Sequence, residues 1–123
     1  MKYIKLLMFY VVLFPVCVYS TELLPEDENQ IEHLLTFVST STCKFMRNGS
    51  WHEASDAADH IRKKYNYVLG KGLVNSPEDF IKYSATKSSM SGKRYRVQCG
   101  HGPEIDSSEW LLMELSSHRA SKK

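Results

Sequence analysis

Cys43-Lys44-Phe45-Met46-Arg47 alternates between side chains that suit a core and side chains that suit water, and Asn48-Gly49 follows at once. Alternation with a period of two marks a half-buried strand. Asn-Gly is the dipeptide that best tolerates positive φ at both centres of a two-residue hairpin turn. The same alternation returns in Arg94-Tyr95-Arg96-Val97-Gln98-Cys99. Setting Cys43 opposite Cys99 in an antiparallel pair puts Phe45 opposite Val97 and Arg47 opposite Tyr95, with both sulfurs on the face of Phe45, Val97 and Tyr95. Strands near 43–48 and 94–99 are therefore the expected sheet.

Outward from these strands the periodicity is helical. Pro25 followed by Glu26, Asp27 and Glu28 suits a helix start, where a missing N–H is harmless and acids meet the positive end of the helix dipole. Ile31, Leu34, Leu35 and Val38 form one buried stripe, ended by Ser39 to Thr42. A second helix is expected from about Glu53 to Val68, with Ala54, Ala57, Ala58, Ile61, Tyr65 and Val68 inward and Arg62, Lys63 and Lys64 facing solvent. Gly70 and Gly72 stop it. Ser76-Pro77-Glu78-Asp79 opens a third as N-cap, N1 proline and first-turn acids, with Phe80, Ile81, Ser84 and Ala85 inward. Ile105 begins a short edge strand, and Ser107 or Ser108 caps a last helix burying Trp110, Leu111, Leu115 and either Leu112 or Met113. Residues 116–123 read as frayed, with a flexible tail from 119. Trp51 is expected to pack back across the Asn48-Gly49 turn. The result is an α+β domain over 21–118, about four helices on a short antiparallel sheet, with no repeats or linkers.

Residues 1–20 have the composition of an export signal. Lys2 and Lys5 supply a positive n-region, Ile4 to Val16 an apolar h-region, and Val18-Tyr19-Ser20 a small-residue exit. The run is shorter than a stable membrane crossing requires, and Pro15 interrupts it, so cleavage near Ser20 is expected and no membrane span after it. Phe14-Pro15-Val16 before Cys17 lacks the small residue lipidation prefers, so Cys17 is expected to leave with the signal. The expected address is the periplasm or the medium. Two of the 16 Lys+Arg lie in this segment and all 14 Asp+Glu beyond it, so the remainder is formally neutral. A neutral domain lacks the basic field of a general nucleic-acid binder.

Without Cys17, Cys43 and Cys99 remain as an even pair in an oxidising compartment, where paired thiols persist as disulfides. Closing a loop of more than fifty residues is worth about 4 kcal/mol in the chain-entropy model.

Cys43-x-Phe45-x-Arg47-Asn48-Gly49, Ala58-x-His60, Glu78-x-Phe80-Ile81 and Ser88-x-x-Ser91-Gly92-x-x-Tyr95, in this order and spacing, resemble the YfeK-like family of small exported bacterial proteins, a domain of unknown function. The resemblance covers about residues 24 to 115. It implies a signal peptide and a periplasmic setting, and it brings no activity, cofactor or catalytic residue.

The candidate binding surface is Arg47 and Asn48 with Ser88, Ser89, Ser91, Gly92 and Tyr95, which the strand pairing gathers at one end of the core face. An arginine beside a loop rich in hydroxyls and backbone N–H groups suits a carboxylate or another small anion. The same residues suit better still a clamp in which Arg47 and Asn48 hydrogen-bond the 88–92 loop, because Gly, Asn and Ser in such motifs encode loop geometry. His52, Asp56 and His60 follow a helical spacing of four, but no cysteine or third close histidine completes a metal site, and neither metal nor cofactor is expected. Ser84-Ala-Thr-Lys87 matches the S-x-x-K string of penicillin-interacting enzymes without their companion motifs, so no catalytic residue is assigned. The expectation is a periplasmic, non-enzymatic binding or accessory domain, whose partner is a small anion or a periplasmic protein. The alternatives are a small hydrolase or cell-wall-modifying enzyme, and a metal- or stress-binding protein.

Overall fold

The computed structural model describes residues 10–15 and 23–122. Most of the expected export signal, with Cys17 and the cleavage point near Ser20, lies outside the described residues. The elements run α1 (Pro25–Thr40), β1 (Lys44–Arg47), β2 (Ser50–His52), α2 (Ala54–Gly70), α3 (Pro77–Ser84), β3 (Arg96–Gln98), β4 (Glu104–Asp106) and α4 (Ser107–Ser121). Among the described residues this is an α+β fold of four helices packed with a four-stranded antiparallel sheet, strand order β2-β1-β3-β4.

Asn48 and Gly49 turn the β1–β2 hairpin with φ of 51° and 82°, so both occupy the left-handed region a two-residue turn demands. Phe45 pairs with Val97, and Cys43 and Cys99, 56 residues apart, are joined by a disulfide just beyond the ladder. Phe45, Val97, Cys43 and Tyr95 all point inward and are buried. The ladder breaks before Tyr95, whose N–H turns away to the Thr86 carbonyl at 3.0 Å.

Ile31, Leu34, Leu35 and Val38 of α1, with Ile61 and Tyr65 of α2, build the middle of the core, and Phe80 of α3 meets the Tyr65 ring edge-on at 5.3 Å. A Schellman pair ends α2, with the N–H of Gly72 on the Leu69 carbonyl and that of Leu73 on the Val68 carbonyl, and Gly72 at φ 72°. Ser76 caps α3 by accepting the Asp79 N–H at 3.1 Å.

Trp51 lies across the hairpin from Met46, on its outer face and 42% exposed, since strand alternation sends His52 inward beside Phe45. Three local expectations are corrected. Neither Leu112 nor Met113 is buried, since the inward arc of α4 runs through Leu111 and Leu115, one turn apart. Ser107 is the first helical residue rather than the cap, and Asp106 in the cap position makes no capping bond because its carboxylate accepts from Arg96 at 2.7 Å. Residues 116–121 continue α4 instead of fraying. Arg119 holds them, donating to Gln30 at 3.1 Å and pairing with Glu78.

Candidate functional site

Where the hairpin, α2 and the loop after α3 meet, the surface opens into a cleft of about 490 Å³. β1 supplies Arg47 and the turn Asn48, while β2 contributes Ser50 and His52. From α2 come His60 and Lys64, one helical turn apart and so on one face. Ser88, Ser89 and Met90 form the opposite rim, and Tyr95 is the wall between them.

A hydrogen-bonded chain organises the floor. Lys64 Nζ donates to the Lys87 carbonyl at 2.7 Å and to the Tyr95 hydroxyl at 3.1 Å. That hydroxyl lies 3.1 Å from His60 Nε2, and the two rings meet edge to face. With Lys64 donating to it, the hydroxyl is placed to donate onward to His60. Burial, reinforced by the positive charges of Arg47 and Lys64, pushes the His60 pKa down to about 4, so this imidazole is neutral at ordinary pH. Burial lowers the Lys64 pKa and raises that of Tyr95, the latter opposed in part by Arg47.

Arg47 differs from its counterparts. Arg62 pairs with Glu32, Arg94 and Arg96 with Asp106, and Arg119 with Glu78. Arg47 is half-buried at the cleft and has no carboxylate partner among the described residues. A guanidinium presents fixed, planar donors that suit a bidentate anion.

Of the residues singled out from the sequence, Arg47, Asn48, Ser88, Ser89 and Tyr95 border the cleft. Ser91 and Gly92 do not. Ser91 donates to Asn48 Oδ1 at 2.6 Å, and Gly92, at φ 72°, closes the loop with its N–H on the Ser88 carbonyl. The Ser88 hydroxyl accepts from the N–H groups of Met90 and Ser91, so it shapes the loop as well as the rim. Lys64, expected in solvent, turns into the cleft. His60 and His52 join it there, and the spacing of four from Asp56 through His60 to Lys64 was the available signal. His52, Asp56 and His60 border one smaller pocket behind Arg47, but the described residues contain no group of three or more His, Cys, Asp or Glu able to hold a metal ion. Ser84 is wholly buried, so the Ser84-x-x-Lys87 string offers no accessible nucleophile. No helix among the described residues is long and apolar enough to cross a membrane.

These features define a class: a disulfide-stapled α+β domain with a basic, tyrosine-walled cleft. The chain belongs to DUF5329, a family of unknown function, whose family model matches residues 25–119. No curated protein and no solved structure matches it.

Proposed function

We propose that this chain is an exported, periplasmic, non-enzymatic binding domain of the YfeK-like kind that holds a small anion at Arg47. The guanidinium in the cleft, which has no carboxylate partner among the described residues, carries the reading. Every other described arginine is neutralised by a carboxylate of the chain, so Arg47 is the arginine left for one brought from outside. Lys64, tied to Tyr95, adds positive potential, and neutral His60 adds none to be desolvated. Export is supported by the composition of residues 1–20 and by the Cys43–Cys99 bond, which an oxidising compartment preserves.

The contact between His60 and the Tyr95 hydroxyl favours a second reading, a small hydrolase, since nucleophile and base must lie within hydrogen-bond reach. Burial works against it by holding the Tyr95 hydroxyl protonated. The binding reading therefore ranks first.

Thermal shift of the oxidised domain with phosphate, sulfate and acetate tests it. A bound anion raises the melting temperature by mass action, and Arg47→Ala removes that rise while leaving the ligand-free melting temperature unchanged. A variant that melts several degrees lower without ligand makes Arg47 a structural clamp and refutes the reading. Export is tested by fractionating the producing cell, where intact mass should place the mature N-terminus at Thr21.

A further inference from the structure

Behind Arg47 the cleft continues into a smaller pocket of about 30 Å³. The two spaces share Arg47, His52, His60 and Tyr95. The inner walls include Phe45, Ala57 and Ile61, all buried and apolar. Ser107 also borders the pocket, and its buried hydroxyl has no hydrogen-bond partner among the described residues. Asp56 stands on the same wall, exposed and without an ion-pair partner among the described residues.

An inorganic anion would satisfy Arg47, leave the apolar walls unused and be repelled by Asp56. A molecule carrying both charges on a short apolar body meets all three demands. The space holds about two water-sized spheres, which is room for a side chain of one or two non-hydrogen atoms.

We infer that the mouth of the pocket, where it meets the cleft, receives a small zwitterion, an α-amino acid of alanine or serine size. Its carboxylate lies on Arg47, its ammonium faces Asp56, and its side chain enters among Phe45, Ala57 and Ile61, with a serine hydroxyl meeting Ser107. Lys64 does not compete for the carboxylate, because Tyr95 and the Lys87 carbonyl already engage its ammonium. The inference rests on the reading of Arg47 as an anion site and adds the ligand's class.

Calorimetric titration of the oxidised mature chain with alanine, serine, propionate and phosphate tests it, both enantiomers of each amino acid being used. Alanine and propionate differ by the ammonium alone, so alanine of one hand or both should bind about tenfold tighter, as a charge-assisted hydrogen bond implies. Asp56→Asn, an exposed and isosteric change, should erase that preference while retaining propionate. Ser107→Ala should weaken serine several-fold and leave alanine unchanged. Equal binding of propionate and alanine, or a preference that survives Asp56→Asn, overturns the zwitterion and leaves the anion site standing. Absence of heat with all four ligands, phosphate included, overturns both.

Discussion

Replacing both cysteines, Cys43→Ala with Cys99→Ala, removes a cross-link between residues 56 apart in the chain. The unfolded ensemble then regains the freedom that closing such a loop denies it, about 4 kcal/mol in the chain-entropy model. A domain of this size has a total stability of about 5–15 kcal/mol, so the loss is a large share of it. At about 4–8 °C per kcal/mol for a domain near 100 residues, the melting temperature should fall by about 15–30 °C. The native packing changes little, because Cys43 is a small side chain beside Phe45 and alanine keeps its Cβ. Urea unfolding followed by circular dichroism reads the effect: the midpoint should drop, and the slope should hold or rise as the freed chain exposes more surface. Reduced wild-type protein should superimpose on the double variant. A loss under about 1 kcal/mol would refute the reasoning, because the helices and the β1–β3 ladder would then hold the fold without the staple.

Three further outcomes are expected. Ser76→Ala removes the acceptor for the Asp79 N–H and should cost about 1 kcal/mol by urea unfolding, whereas Ser76→Gly should cost only a few tenths. Leu34→Ala opens a cavity at a fully buried position of α1 and should cost about 2–5 kcal/mol, measured by the same method. Below pH 6.5 the unfolded chain protonates a histidine that folded His60 leaves neutral until about pH 4, so stability should fall as pH drops through that window. His60→Gln should flatten the fall relative to wild type in melting temperatures taken between pH 7 and pH 5, above the range where Glu32 and Glu78 titrate.

The sequence was most legible where one local rule had no competitor. Asn48-Gly49 and the shared parity of Cys43, Phe45, Val97 and Cys99 specified the hairpin and the β1–β3 register, because slipping by one residue would turn every apolar side chain outward. Pro25 and Ser76-Pro77 marked helix starts for equally local reasons. Legibility failed where a side chain had two uses. Asp106 suits an N-cap but is taken by Arg96, an ion pair that exists only once β3 and β4 lie side by side. Arg119 sits in a stretch that looks frayed, and only the approach of α1 and α3 supplies Gln30 and Glu78 to hold it.

The candidate site divides along the same line. Arg47, Asn48, Ser88, Ser89 and Tyr95 were within reach of the sequence, since strand pairing alone brings the ends of β1 and the 94–99 stretch together. His60 and Lys64 showed only as a spacing of four along α2, because the rotation of α2 against the sheet decides whether that stripe meets water or Tyr95. By itself the sequence determined the fold class, the turn, the register and the cysteine pair, all consequences of backbone geometry and period-two or period-3.6 burial. Only the tertiary structure decided that Arg47 goes unpaired among the described residues, that His60 is neutral, and that an apolar pocket opens behind them. Those properties depend on which groups stand near one another across the chain, and on how much water their packing excludes.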